Sequence, residues 1–151
     1  GIKWDGDILS CVGSKVPVTL DVTDSNDILP PLAALLSLGP GGRISGAAHA
    51  VHKESDRLSR TVELLSFFGI HATLHDDGIE VEGNQKPTMP QQPVPTFNDH
   101  RLFMTAVLLA SKTGDEVSGH TLHHVADEAC VQRLQEAGVQ IEATTTPSLA
   151  D

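Results

Sequence analysis

The sequence predicts an α/β protein in which a unit of strand, helix, strand, helix and strand occurs twice. Strand-like and helix-like segments alternate through the first half of the chain, at residues 16–20, 28–38, 43–46, 55–68, 70–74 and 79–81. In each half one strand opens with an apolar residue followed by Ser-Gly, at 44–46 and again at 117–119. Each half also places an aspartate, Asp27 or Asp99, before its first helix. These parallels indicate a structural repeat.

Turn and cap residues separate the first elements of the chain. Asp5-Gly6 predicts a hairpin turn within residues 2–11. The polar cluster 24–27 is typical of a turn followed by a helix cap, and the two prolines near the start of helix 28–38 are tolerated in a first turn. The segment Gly-Pro-Gly-Gly at 39–42 then ends this helix.

A second, amphipathic helix is predicted over residues 55–68. We expect Ser55 to cap it and Gly69 to end it. Its apolar stripe contains Leu58, Val62, Leu65 and Phe68. A hairpin with its turn at 76–78 follows and completes the first unit, which spans about residues 16–83.

The second half of the chain predicts an incomplete copy of the unit. Residues 84–95 hold four prolines and three glutamines, which is typical of a connector and excludes a central strand. Asp99 is expected to cap a helix that runs through Leu109. The later elements are predicted as a strand at 117–122, a helix at 128–136, a strand at 139–141 and a flexible tail at 144–151.

These elements form a partial domain at residues 1–143, whose second unit spans about 96–143. That second unit lacks its last strand, so we expect this chain to be part of a longer protein.

Composition excludes several classes of function. The net charge of −10 and the scarcity of aromatic residues (four Phe, one Trp, no Tyr) argue against nucleic-acid binding. No run of 18 apolar residues occurs, so no membrane span is predicted. Cys11 and Cys130 lie far apart without metal-ligand spacing. We therefore expect a cytoplasmic protein with no metal site and no cofactor.

Three polar clusters lie where a loop leads into a helix, at residues 23–27, 52–57 and 98–101. Asp27, in the first cluster, is either a turn residue or a carboxylate that accepts a proton from a substrate hydroxyl. Arg57 and Arg101 each stand in the first turn of a helix, where the helix dipole disfavours a cation. Either each arginine pairs with a neighbouring acid, or both converge with Lys53 on an anionic ligand.

Two of these clusters carry a family resemblance. His52-Lys53-Glu54-Ser55-Asp56-Arg57-Leu58 resembles the HKESDR signature of the 5-enolpyruvylshikimate-3-phosphate (EPSP) synthases. Asn98-Asp99-His100-Arg101, with Met104 following after two intervening residues, is similar to that family's NDHRMAM motif. The resemblance extends over about residues 21–141, and the order and spacing of the two motifs make it specific.

The resemblance implies a two-domain enzyme with three βαβαββ units per domain, in which helices pack together behind mixed sheets. The active site lies in the cleft between the domains. There the enolpyruvyl group of phosphoenolpyruvate moves to the 5-hydroxyl of shikimate 3-phosphate, and phosphate is released. The partners implied are these two substrates and a second domain of the same polypeptide. The isolated chain is therefore expected to be inactive.

The resemblance also implies roles for individual residues. Asp27 corresponds to the base acting on the 5-hydroxyl, and Lys53 to a contact of the shikimate phosphate that supports proton transfer. Glu54 corresponds to an acid directed at the methylene carbon. Arg57 and Arg101 would hold phosphoenolpyruvate with His100 beside them. His49 occupies the position of a substrate-binding asparagine.

The chain departs from the family pattern near the start of its last helix. A lysine is usual there in the family, whereas Val125-Ala126-Asp127-Glu128-Ala129 contains no cation, and Phe103 replaces a smaller residue. Two alternatives to the synthase therefore stay open. One is a non-catalytic or divergent anion-binding domain, and the other is a relative of UDP-N-acetylglucosamine enolpyruvyl transferase.

Overall fold

A four-stranded mixed sheet organises the first half of the molecule. The computed structural model describes residues 2–6, 8–11, 15–48, 56–119 and 121–142. The sheet has the order β3-β4-β6-β5 and consists of β3 (Val18–Asp21), β4 (Gly41–Ser45), β5 (Ala72–His75) and β6 (Gly78–Glu82). Strands β3 and β4 are parallel, while β6 is antiparallel to both β4 and β5. The predicted first hairpin is confirmed as β1 (Ile2–Asp5) paired with β2 (Ile8–Cys11).

One face of this sheet builds the core. Leu20, Ile44 and Ile79 lie side by side on three adjacent strands, and Ile44 and Ile79 are fully buried. Arg43 and Glu80, each next to one of these residues along its strand, form the neighbouring row of the sheet; Arg43 is half-buried and Glu80 is exposed. Because side chains alternate between the faces of a strand, the apolar row faces the helices and the charged row faces away from them.

The first helix supplies the connection that parallel strands require. Helix α1 (Leu29–Leu38) joins β3 to β4 and follows a 3-10 helix at Asn26–Ile28. It begins with its prolines in the first turn and ends at Gly39, as predicted. Helix α1 packs against β4, β6 and two further helices, α2 (Arg57–Phe67) and α3 (His100–Thr113).

The predicted start of α2 is wrong by one residue. Asp56, and not Ser55, is the N-cap, because its side chain accepts a hydrogen bond from the Ser59 N–H. The predicted end is confirmed: Gly69 has a φ of 68°, and the Ile70 N–H bonds back to the Leu65 carbonyl. This is the left-handed helix ending that glycine favours.

Helix α3 is confirmed with Asp99 as its cap, but it continues beyond Leu109 to Thr113 before Gly114 ends it. The strand predicted at 117–122 is wrong. Val117 makes one parallel bridge to Val94, and Leu122–Val125 is a 3-10 helix. The arrangement of Val94, α3 and Val117 repeats that of β3, α1 and β4 in reduced form.

The strand predicted at 139–141 is also wrong, because within the described part of the chain these residues follow α4 (Cys130–Glu136) without strand pairing. A strand needs a hydrogen-bonded neighbour, and local alternation of apolar residues does not supply one. The tail predicted at 144–151 lies outside the described residues. None of the helices described is long and apolar enough to cross a bilayer.

Two neighbouring leucines of α1 test the position of the core. Leu36 is 5% exposed and Leu35 is 65% exposed. Leu36→Ala is expected to lower the free energy of unfolding by about 2–5 kcal/mol, because it removes buried contacts and leaves a cavity. Leu35→Ala is the matched control and should change stability by less than about 0.5 kcal/mol. Urea denaturation measures both, and equal effects would contradict this packing.

Candidate functional site

One residue from each of the three predicted polar clusters lies at the same place in the structure. Asp27 follows β3, Arg57 is the first residue of α2, and Arg101 is the second residue of α3. The Arg57 Nη1 lies 3.1 Å from Asp27 Oδ1, and the Arg101 Nη2 lies 3.0 Å from Asp27 Oδ2. The two guanidinium groups therefore converge on a single carboxylate. The two arginines thus lie together, as one of the two arrangements left open by the sequence requires, but they meet on an acid of the chain itself, and their convergence with Lys53 on an anionic ligand stays a prediction.

Arg57 carries a fully enclosed charge in this site. Its side chain is 0% exposed, and its Nε donates to Asp99 Oδ2 at 3.1 Å. A buried guanidinium is tolerated only when carboxylates or other acceptors compensate its charge. Asp27 and Asp99 supply that compensation. The Arg57 Nη2, although buried, has no hydrogen-bond partner within the described part of the chain.

Asp99 links the two helix starts. One oxygen, Oδ1, accepts the backbone N–H groups of Arg101 at 2.8 Å and Leu102 at 3.4 Å and so caps α3. The other oxygen holds Arg57. Burial acts to raise the pKa of Asp99, but the hydrogen bonds from the Arg101 and Leu102 N–H groups, with the charge and hydrogen bond of Arg57, together outweigh it and keep this pKa below its usual value.

The backbone before α3 is held in an unusual conformation. Phe97 and Asn98 have φ values of 53° and 57°, in the left-handed region that a phenylalanine seldom adopts. The Arg60 guanidinium lies over the Phe97 ring, 4.4 Å from its centroid. Helix α2 thus contacts this segment through Arg60 while Arg57, one turn earlier, contacts Asp99.

Asp27 differs from Asp99 in exposure. The Asp27 side chain is 51% exposed, whereas Asp99 is fully enclosed. An exposed carboxylate in the 3-10 helix before α1 can reach a ligand in solution, and proton acceptance by it is the chemistry expected of a general base. Paired guanidinium groups suit planar or tetrahedral anions such as carboxylate and phosphate.

Of the other predicted site residues, only His100 lies within the described part of the chain. His100 is the first residue of α3 and is 8% exposed. His49, Lys53 and Glu54 lie outside the described residues, so their placement stays a prediction. Sequence reasoning assigned Asp99 only as a helix cap and missed its pairing with Arg57. The signal available was the cation at the start of α2, which needs an acid once it is buried.

Two concave regions of the surface lie apart from this site. One recess of about 800 Å³ is bordered by the ends of β3 and β4, and another of about 1130 Å³ lies between α3 and the chain after α4. Neither is lined by Asp27, Arg57 or Arg101. Across the described residues, no three His, Cys, Asp or Glu side chains cluster closely enough to hold a metal ion.

Fold and site together define an α/β repeat protein in which two helix-start arginines share one exposed aspartate. A family model described as "EPSP synthase (3-phosphoshikimate 1-carboxyvinyltransferase)" matches residues 2–133. This chain belongs to the EPSP synthase family. The match covers most of the chain, and the family assignment drawn from the two motifs is confirmed.

Relatives and solved structures agree with this assignment. A 3-phosphoshikimate 1-carboxyvinyltransferase of Methanobrevibacter smithii is 28% identical over 135 residues, which are 89% of this chain and 30% of the relative. One of Methanocorpusculum labreanum is 36% identical over 110 residues, which are 72% of this chain and 26% of the relative. An EPSP synthase structure from Acinetobacter baumannii superposes with a TM-score of 0.64 at 26% identity, and the match covers 82% of this chain and 30% of that one.

The α/β fold predicted from the sequence is confirmed by this superposition. The chain spans about 30% of the length of the relatives it matches.

The pairing of Asp99 with Arg57 gives a stability prediction. Asp99→Asn keeps the shape and a capping oxygen but removes the charge facing a buried guanidinium, so we expect it to lower the free energy of unfolding by about 3 kcal/mol. Asp56→Asn is the matched control, because Asp56 caps α2 at an exposed position where Asn caps equally well. Denaturant titration of both variants at pH 7 compares them, and similar losses would contradict the special role of Asp99.

The same pair predicts a pH dependence. The pKa of Asp99 in the folded protein lies below its unfolded value, which is about 3.9. Its stabilising contribution is therefore present above pH 4 and is lost as the pH falls through the folded pKa. In Asp99→Asn the acid decline of stability should be shallower but not absent, because Thr23 also lowers the pKa of Asp21. Thermal melts between pH 2 and pH 6 measure the two slopes.

Proposed function

We propose that this chain supplies one wall of the active site of an enzyme that transfers the enolpyruvyl group of phosphoenolpyruvate to the 5-hydroxyl of shikimate 3-phosphate. The observation that carries the proposal is the convergence of Arg57 and Arg101 on Asp27. Membership in the EPSP synthase family supports it. The remaining substrate contacts come from a second domain of the same polypeptide in this proposal.

The chemistry needs two kinds of group, and the described residues contain both. Phosphoenolpyruvate carries a carboxylate and a phosphate, and the forks of Arg57 and Arg101 bind such anions with directed hydrogen bonds. The 5-hydroxyl must lose its proton as its oxygen bonds to the enolpyruvyl carbon, and Asp27 is the exposed carboxylate next to the arginines. His100 is the first residue of α3 and precedes Arg101, so in this proposal it lies beside the bound phosphoenolpyruvate.

Three further roles in the proposal rest on the resemblance. Lys53 would bind the shikimate phosphate and support proton transfer, and Glu54 would protonate the methylene carbon of phosphoenolpyruvate. His49 would contact substrate at the position of the family's asparagine. The cytoplasmic location expected from the cysteine usage belongs to the same proposal.

A second candidate is an anion-binding domain that does not catalyse. The observation favouring it is the region before α4, where the family usually has a lysine. Val125 is 71% exposed there, and Asp127 is paired with Arg133. Residues 125–129 therefore offer a phosphate two acids, Asp127 and Glu128, and no cation.

Phosphate release separates the two candidates. The full-length protein with both substrates is expected to release phosphate from phosphoenolpyruvate, and the isolated 151-residue chain is expected to release none because part of the cleft is absent. A colorimetric phosphate assay measures both. Release by the isolated chain would disprove the two-domain requirement. Substrate binding by the full-length protein without any release would favour the non-catalytic candidate.

Arg101 provides a residue-level test in the full-length protein. Arg101→Ala should weaken phosphoenolpyruvate binding by about 1.5–3 kcal/mol, the worth of a hydrogen bond to a charged group. Arg43→Ala is the control, because Arg43 lies on β4 and pairs with Asp77, away from this site. Isothermal titration calorimetry measures both affinities. An affinity unchanged by Arg101→Ala would remove this arginine from the binding site.

A further inference from the structure

Asp27 has the geometry of a ligand for the arginine pair. Its two oxygens receive Arg57 Nη1 at 3.1 Å and Arg101 Nη2 at 3.0 Å. A bound carboxylate or phosphate would use the same donors in the same way. In the structure described here, these two arginine donors are therefore already engaged by a carboxylate that belongs to the protein.

Asp27 is also the displaceable member of the ion-pair cluster. Asp99 is 0% exposed and is fixed by two backbone N–H groups of α3. Asp27 is 51% exposed and lies in a three-residue 3-10 helix whose N-cap, Ser25, makes no side-chain capping bond. Moving Asp27 into solvent leaves the fully buried pair of Arg57 and Asp99 intact.

An incoming anion has a contact to gain that Asp27 does not use. The Arg57 Nη2 is buried and lacks a hydrogen-bond partner within the described residues. A buried donor left without an acceptor is unfavourable. An anion with three or more oxygens can bind the two donors now held by Asp27 and still have an acceptor for this nitrogen.

We infer that Asp27 is an internal competitor: its carboxylate occupies the anion-binding donors of Arg57 and Arg101 in the unliganded protein, and a phosphate-bearing ligand binds by displacing it. The inference rests on the proposed function for the identity of that ligand. Occupation by Asp27 lowers the apparent affinity of the arginine pair for anions, since only the fraction of molecules with Asp27 displaced can bind. A carboxylate released from two cations also accepts a proton more readily, so the arrival of the anion prepares Asp27 to act on a hydroxyl.

Removing the competitor's charge tests the inference. In the full-length protein, Asp27→Asn should bind inorganic phosphate and phosphoenolpyruvate about 10-fold to 100-fold more tightly than the wild type, measured by isothermal titration calorimetry. Asp24→Asn is the matched control, because Asp24 is an exposed carboxylate of the same turn. It should leave both affinities unchanged. Equal or weaker binding by Asp27→Asn would overturn the inference.

A double variant and a structural measurement complete the test. Adding Arg101→Gln to Asp27→Asn should abolish the gain, and a gain that persists would overturn the inference. If Asp27→Asn does not fold, crystal structures of the wild-type protein with and without phosphate decide the matter. Asp27 should leave both arginines when phosphate binds, and retention of both contacts beside a bound phosphate would overturn the inference.

The outcomes are separable from those of the proposed function. Turnover by the wild type without tighter binding by Asp27→Asn would reject the competitor and keep the enzyme. Tighter binding by Asp27→Asn without turnover by the wild type would keep the competitor and reject the enzyme.

Discussion

The ion pair between Arg57 and Asp99 is the interaction on which this site depends. Both side chains are fully enclosed, and burial of either charge alone would cost several kcal/mol. Because Asp99 also caps α3, one carboxylate fixes the start of α2 relative to the start of α3. That fixed relation is what carries Arg101 to the same aspartate that Arg57 contacts. The exposed part of the site is thus built on an enclosed one.

The elements predicted well are those whose signals are local. The Asp-Gly hairpins, the proline-bearing start of α1 and the glycine end of α2 depend on backbone preferences that a few residues set by themselves. The predictions that were wrong concern a helix start with two possible cap residues and a strand that needs a neighbouring strand far away in the sequence. Ser55 and Asp56 are adjacent cap-competent residues, and the helix uses the second. Residues 117–122 alternate like a strand, but Val117 alone finds a neighbour, Val94.

The meeting of Arg57 and Arg101 follows from the sequence, but the acids that hold these two arginines do not. Two cations in first-turn positions, each unfavourable on its own, indicated that Arg57 and Arg101 serve a shared purpose, and their convergence follows that reasoning. The partner of Arg57 could not be predicted in the same way. Asp99 lies 42 positions away from Arg57, and its role as the cap of α3 was already a sufficient explanation for an aspartate at that position. Which of several acids meets a buried arginine is decided by tertiary packing, which no spacing rule encodes.

The contacts between α2 and the segment that contains Phe97 and Asn98 limit how the two helix starts can move. Helix α2 contacts residues 97–99 at two places: Arg60 lies over the Phe97 ring, and Arg57 is paired with Asp99. Arg57 and Arg60 project from the same side of α2, one turn apart. Because two contacts hold α2 against this segment, the segment can neither rotate relative to α2 nor separate from it without breaking one of them. If a surrounding cleft opens and closes, the two helix starts should therefore travel as one rigid body, with the distance between their guanidinium groups preserved throughout the movement.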